Sequence, residues 1–553
     1  MTFPLEMKAQ TQQPLPDVDS VPAADGRARA WTTPVALAAI HLLLALAAFD
    51  PTPHTGGDNA AYVALARSIL EHGRYIELWD PATPPHILYP PGFPALLALA
   101  MLLGLKPWVG LKLLIVATST AAVAFSYLWL ERQWGRRTAI GIGILLAASP
   151  AIVDMSHWVL SDVPFWLLTM VALWGFARLE AGMRGGAAIG IAATVFAYFT
   201  RSAGLPLVLA AATWLAQGRR WRTLAALAAA FLPLATLWWL RGRGVEGAAY
   251  VEYFWLTDPY RPELGRIGLP ELVSRMWANN SRYTLVHLPM LLVGNGRGMY
   301  GALGVGVALL ALAGWGSRLR RPGLPELFLP LYIGLLYVWP AVWAGERFLL
   351  PVLPLVLAYG AHALAAVARR VRLPWPHGVE AAVISAIVLL ALPAHVAGVR
   401  RGVSCVTAYR LGEQYPCLSP PWRDYFTVVE WARDNLPEDA VVLTRKPRLY
   451  FGLTGRHARL YPWSPEPAEL VRGARGAGAR FIVLDLLDGQ SNRYLIPAMV
   501  GRPEAFCAVY TLGPGRATVF ALMPDAEAVP DRESGDGRAE FAFCPPDYLS
   551  PSR

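Results

Sequence analysis

Charge is what this sequence has least of. Only 16% of its 553 residues are Asp, Glu, Lys or Arg, against roughly 25% in soluble globular domains. That shortage excludes an ordinary water-soluble fold. Cysteine is scarcer still: Cys405, Cys417, Cys507 and Cys544 are the whole complement, and all four follow residue 400. Their spacing matches no zinc knuckle, so a metal site is not indicated. Their confinement to one end fits disulfides in an oxidising compartment, with Cys405 and Cys417 as a local pair. No internal repeat is present. No arm mixes basic residues with stacking aromatics, so the net charge of +10 does not point to nucleic acid. A cleavable signal is not expected either. Residues 1–30 are polar and Pro-rich with both charge signs, and the apolar run from Trp31 to Phe49 lacks a small-residue cleavage site. Residues 1–30 read as a disordered cytoplasmic tail.

What the chain has in abundance is apolar length. Hydrophobic residues make up 55%, and runs of about 18 or more recur, enough to cross a hydrocarbon core of about 30 Å. The 21 Trp and 21 Tyr fit aromatic belts at the two interfaces. Arginine clusters separate the runs: Glu131–Arg137, Arg178–Arg184, Arg219–Arg222, Arg318–Arg321 and Arg369–Arg372. Placing all five in the cytoplasm, as positive loops prefer, gives spans at 31–49, 107–130, 138–153, 160–178, 186–200, 203–217, 223–240, 299–316, 325–343, 348–368 and 379–398. Gly92–Leu105 is too short to join them without inverting the later loops. It reads as an interfacial or re-entrant helix.

The expected fold is therefore a polytopic α-helical membrane protein of about eleven spans with a small C-terminal extracytoplasmic α/β domain. The membrane unit covers 31–400, with outer loops at 50–106 and 241–298, and the domain covers 401–553. In that domain, helical spacing over 422–435 and 466–477 alternates with strand-like runs at 440–443, 480–485, 509–512 and 517–522. The acidic stretch 524–537 reads as a loop. The protein is expected in the inner or plasma membrane, N-terminus inside and C-terminal domain outside.

In so uncharged a chain, charges at the outer ends of spans are candidates for function. Asp58 follows the first span by nine residues. Asp154, His157 and Asp162 lie in one outer turn, Arg201 in another, and Glu346 with Arg347 in a third. On this topology all seven face one side. Transfer of a sugar from a lipid phosphate needs a carboxylate to take the acceptor proton, cations to hold the leaving phosphate and an apolar slot for the lipid. Asp58 suits the first role, and Arg201 and Arg347 the second. Each has a plainer reading. Asp58 and Asp162 would serve as helix N-caps, Arg201 would snorkel at a helix end, and Glu346 would pair with Arg347. Asp154 and His157 would be interfacial polar groups, and Tyr89 would pack within its turn. With arginines carrying the charge, no cofactor is required; a divalent metal is possible but not indicated.

Several pieces of this chain resemble the GT-C superfamily of membrane glycosyltransferases, in the branch of bacterial aminoarabinose transferases and protein O-mannosyltransferases. They are Gly57-Asp58-Asn59-Ala60-Ala61-Tyr62, Tyr89-Pro90-Pro91-Gly92, Ser161-Asp162, Thr200-Arg201 and Arg347-Phe348-Leu349-Leu350-Pro351. In the tail, Trp431–Pro437 and Gly455-Arg456 add to it. The likeness spans roughly residues 32–520. It lies in the order and spacing of the motifs. It implies a polyprenyl-phosphate sugar donor, a glycan, lipid or protein acceptor, inverting transfer, Asp58 as general base and Asp162 as a second site carboxylate. Tyr62, Tyr89, His157 and Glu346 become possible substrate contacts. Two departures stand out. Asn59 follows Asp58 where many relatives carry a second acid, and Tyr89 precedes Pro-Pro where the aminoarabinose branch tends to carry Lys. The Trp-Trp-Asp signature of oligosaccharyltransferases is absent. The rival readings are a transporter or flippase of lipid-linked sugars, which would carry charges inside spans and inverted repeats, and a non-catalytic scaffold.

The topology is tested by reporter fusion. A reporter active only in the cytoplasm should give signal when fused after Arg137 or Arg321 and none when fused after Cys405. Signal from the Cys405 fusion would overturn the arrangement.

Overall fold

The structure, a computed structural model, describes residues 24–245, 250–372, 376–531 and 540–545. Residues 1–23 of the expected tail and most of the acidic stretch after Asp531 lie outside them. Residues 24–30 are helical, so the first helix begins inside the expected tail.

The first helices are α1 Ala24–Ala47, α2 Gly57–His72, α3 Gly92–Leu102, α4 Val109–Trp134, α5 Arg136–Ala147 and α6 Pro150–Met155. Then come α7 Asp162–Glu180, α8 Gly186–Thr200, α9 Leu205–Gln217, α10 Trp221–Arg241, α11 Tyr250–Trp255, α12 Leu269–Arg282 and α13 Leu288–Val293. The helical unit closes with α14 Tyr300–Arg318, α15 Leu324–Val338, α16 Leu353–Arg370 and α17 Pro376–Arg410. Each of the eleven expected spans overlaps at least one helix. Among the described residues five are long and apolar enough to cross a membrane: 109–134, 162–180, 221–241, 300–318 and 378–410. The other six are shorter or more polar.

Proline accounts for several of the differences. The span expected at 138–153 stops at Ala147, because Pro150 starts a new helix whose first turn is capped by the Ser149 hydroxyl on Ile152 N at 3.2 Å. The helix expected over 325–343 ends at Val338, since Pro340 pushes Trp339 into extended backbone. Nothing breaks the last helix at residue 400, so the expected domain boundary falls inside α17. α3 has 11 residues, about 16 Å of helix, and cannot cross the membrane alone. In loop 241–298, α12 leaves Leu269, Val273 and Trp277 exposed at 72%, 67% and 72%. Spaced four apart on one face, they form an apolar stripe suited to a lipid interface.

Close contacts between helices rest on glycine. A Cβ on Gly175 of α7 would fall 2.5 Å from the Gly190 backbone of α8, a small-residue contact of the kind that lets membrane helices approach. Gly92 of the Tyr-Pro-Pro-Gly motif matters more for the site. A Cβ there would fall 2.6 Å from the Phe199 carbonyl, so only glycine lets α3 meet the end of α8 beside Arg201.

The C-terminal domain holds α18 Pro420–Asn435, β1 Val441–Thr444, α19 Pro447–Thr454, β2 Ala458–Arg459, α20 Pro467–Gly476, β3 Ala479–Leu484, α21 Ile496–Val500, β4 Phe506–Thr511 and β5 Thr518–Leu522. The sheet order is β2-β1-β3-β5-β4, parallel from β2 to β3 and antiparallel thereafter. β2 and α19 are additions to the expected elements. Cys405 pairs with Cys417 and Cys507 with Cys544. The first bond ties the end of α17 to the start of the domain. The second ties β4 to residues 540–545.

Non-reducing peptide mapping should return these two pairs and no crossed pair. Replacing Cys507 and Cys544 together by Ala should destabilise the domain by about 2–4 kcal/mol, read from denaturant unfolding.

Candidate active site between loop 50–106 and the C-terminal domain

The site is assembled where three parts of the chain meet. α2 opens after Gly56, an extended residue with no side-chain cap. The orphan donor Gly56 N is taken by His54 Nδ1 at 3.0 Å, and Asn59 Nδ2 lies 2.7 Å from the same nitrogen. Burial first, then the charges of Lys112 and Arg347, pushes His54 down to about 3, so the ring is neutral and accepts. Asp58 is thus not the cap residue. It sits in the first turn, where the helix dipole favours an anion, and its side chain is 42% exposed.

Tyr89 donates to Asp58 Oδ1 at 2.7 Å and accepts from Arg448 Nη1 at 3.0 Å. Arg448 Nη1 also lies 3.6 Å from Oδ1. On the other oxygen, Arg347 Nη2 stands 3.9 Å from Oδ2. Burial pushes the Asp58 carboxyl up, but Arg347, Arg448 and the Tyr89 hydroxyl outweigh it and hold the carboxyl below its usual range. Tyr89 is itself anchored: its N–H donates to His86 Nε2 at 2.9 Å, and His86 Nδ1 meets Glu77 at 2.7 Å.

A second layer lies behind. Asp162, only 4% exposed, pairs with Arg201 at 3.0 Å and meets Arg347 Nη1 at 3.9 Å. Its Oδ2 has no hydrogen-bond partner. Arg201 also donates to Ser161 Oγ at 3.1 Å, which Tyr62 meets at 3.0 Å. Both guanidiniums lie over the Phe348 ring, at 4.8 and 4.7 Å. Charge-assisted hydrogen bonds run near 2.7–2.9 Å. At 3.9 Å from both carboxylates, Arg347 bridges Asp58 and Asp162 without being saturated by either.

Asp58, Arg347 and Arg448 border a cavity of about 520 Å³. Its wall includes Asp58, Arg347, Trp79, Trp158 and Tyr260, and from the domain Arg445, Lys446, Arg448 and Arg459. The domain is held against loop 50–106 by Arg459, which grips Asp80 with bonds of 2.8 and 2.7 Å. Ala458 N donates to Trp79 O at 2.8 Å, and Phe451 of α19 packs with Ala61 and Leu65 of α2.

Of the residues singled out in the sequence, Asp58, Tyr89, Asp162, Arg201 and Arg347 form one connected group. Tyr62 is buried behind it. His157 is also buried, its Nε2–H donating to the Ala45 carbonyl at 2.8 Å. Glu346 pairs with His287 at 3.1 Å, not with Arg347. Asp154 is exposed and outside the cavity wall. Arg448, His54, Arg445 and Lys446 went unnoticed in the sequence. The run Arg445-Lys446-Pro447-Arg448 was the signal for three of them. Among the described residues the one close cluster of three metal-type ligands is Asp50, Cys405 and Cys417, and both sulfurs are taken by the disulfide.

A helical membrane unit followed by a small α/β domain is a fold found in solved structures of other proteins. Three solved structures show the likeness. The Archaeoglobus fulgidus oligosaccharyltransferase in complex with Zn and sulfate is 16% identical, with a TM-score of 0.54 over 89% of this chain and 73% of its own. The same organism's AglB with an inhibitory peptide and a dolichol-phosphate is 14% identical, with 0.53 over 90% and 75%. ArnT from Cupriavidus metallidurans bound to undecaprenyl phosphate is 14% identical, with 0.53 over 91% and 99%. The likeness is one of fold. No family model matches the chain, and no curated protein matches it in sequence.

Proposed function

We propose that this protein transfers a sugar from a polyprenyl-phosphate donor to an acceptor hydroxyl. The observation that carries the reading is Asp58, an ionised carboxylate open to the cavity with an unsaturated guanidinium on its far oxygen. Asp58 takes the proton of the acceptor hydroxyl, the oxygen attacks the anomeric carbon, and the carbon–oxygen bond to phosphate breaks. The phosphate leaves with the negative charge, which Arg347 and Arg201 are placed to receive. Inversion follows from a single displacement. A double displacement needs a second carboxylate free to act as nucleophile, and Asp162 is buried and paired with Arg201.

The undecaprenyl phosphate bound to ArnT and the dolichol-phosphate in complex with AglB support a donor of this kind. The exposed apolar side chains of α3, Leu99 and Leu102 among them, suit contact with lipid. Arg347 and Arg201 supply the cationic charge, so the transfer is proposed to need no divalent metal. The protein is placed in the inner or plasma membrane, with the N-terminus in the cytoplasm and the site on the outer face.

Asp58→Asn should keep fold and donor binding while turnover falls roughly 10²–10⁴-fold, the worth of a general base. Arg347→Ala should instead weaken donor binding, and turnover of wild type should survive EDTA. Near wild-type turnover in Asp58→Asn would sink the assignment.

A further test uses pH. A depressed carboxylate pKa keeps the base ionised below its ordinary range and loses it only as pH falls through the lowered value. Arg448→Ala removes one of the cations responsible, so the acid limb of the rate profile should move to higher pH. An unmoved limb in a folded variant would mean that Arg448 does not act on Asp58.

A further inference from the structure

The two oxygens of Asp58 face different parts of the protein. Oδ2 looks to Arg347, in the turn before α16 at the end of the membrane helices. Oδ1 looks to Arg448, at the start of α19 in the C-terminal domain. A lipid-borne phosphate is tethered to the membrane and has its cations ready on the Oδ2 side. The domain side carries cations that this phosphate does not require. Arg445 is 10% exposed, set between the rings of Tyr260 and Trp463 at 5.5 and 5.2 Å. It holds Asp488 at 2.9 Å, and its Nε has no hydrogen-bond partner. Lys446 has no carboxylate within ion-pair distance among the described residues, and its ammonium lies 5.7 Å from the Trp422 ring. Burial first, then the Arg445 charge, lowers its pKa. Of the two acids in the cavity wall, Asp80 is already taken by Arg459 through two bonds, and Asp58 is held by Tyr89 and Arg448. Arg445 keeps one carboxylate, Asp488, while Lys446 beside it adds a half-buried positive charge with no carboxylate at ion-pair distance, an arrangement that is unfavourable unless an anion joins it.

We infer that Arg445 and Lys446 form the binding site for an anionic group on the acceptor, which is an acidic saccharide carrying a phosphate or carboxylate. This rests on the function proposed above and names its substrate class. The base lies between the two cation groups, so an acceptor held by Arg445 and Lys446 brings its hydroxyl to Asp58 from the side away from the leaving phosphate, as an in-line displacement requires. Trp79, Trp158 and Tyr260 line the same cavity and present flat apolar faces suited to sugar rings.

The test uses the full chain in phosphatidylcholine nanodiscs, with undecaprenyl phosphate as the donor-side probe. Glucose 6-phosphate and glucuronate, compared with glucose, are the acceptor-side probes. Wild type should bind the two acidic sugars about tenfold or more tighter than glucose, the scale of a charge-assisted contact. Lys446→Ala should lose that discrimination, Lys446→Arg should restore it, and undecaprenyl phosphate binding should be unchanged in both. Arg445→Gln repeats the test at the second cation. Equal binding of glucose and its acidic relatives by wild type would overturn the inference. So would a loss of undecaprenyl phosphate binding in Lys446→Ala, which would assign the wall to the donor. Equal binding of a glutamate-rich peptide would overturn the saccharide class. Acid-sugar discrimination in a wild type that binds no undecaprenyl phosphate would support the anion site and reject the donor reading alone.

Discussion

Everything at this site turns on how one carboxylate is shared. Asp58 meets a guanidinium from the membrane unit on one oxygen, and a tyrosine with a guanidinium from the C-terminal domain on the other. A carboxylate so placed stays ionised, but cations that hold it ionised also make it a weaker base. The long contact to Arg347 eases that conflict. At 3.9 Å from both Asp58 and Asp162, the guanidinium is attracted by both and committed to neither. On the proposed function, an arriving phosphate competes for it, and each step it takes toward that phosphate leaves Asp58 more basic. Donor binding and strengthening of the base are then two views of one movement of charge.

The scaffold serves this geometry by economical means. Gly92 lets α3 come against the end of α8, so Tyr89 and Arg201, far apart in sequence, border one site. Phe348 separates and supports the guanidiniums of Arg201 and Arg347. Asp162 holds Arg201 close and Arg347 loosely. Its burial keeps its charge directed at these arginines, without exposing it to the cavity.

The sequence was most readable where charge was rare. In helices so apolar, Asp58, Asp162, Arg201 and Arg347 stood out, and the structure joins them. Asp154, His157 and Glu346 stood out by the same criterion, yet His157 and Glu346 serve local contacts and Asp154 is exposed away from the cavity, because position at a span end does not say which way a side chain turns. In the domain the same reasoning lost its contrast. Charges are common there, so Arg445, Lys446 and Arg448 looked like a solvated run. α19, which carries Arg448, has eight residues, and β2 has two, both too short for periodicity to reveal. The Arg448–Tyr89 contact joins residues 359 apart, and no local pattern encodes it. Proline was legible as a motif at Tyr89-Pro90-Pro91 but was underweighted at Pro150 and Pro340, where it ended helices early.

The grip of Arg459 on Asp80 gives the domain a standing beyond that of an appendage. It locks the domain to the same loop that carries Asp58, so on the proposed function the strength of the base and the shape of the acceptor wall are properties of the joint. A domain exchanged from another protein of this fold would bring its own cations to Asp58. Acceptor choice and chemical rate would then change together, and evolution along this fold would have to tune them as a pair.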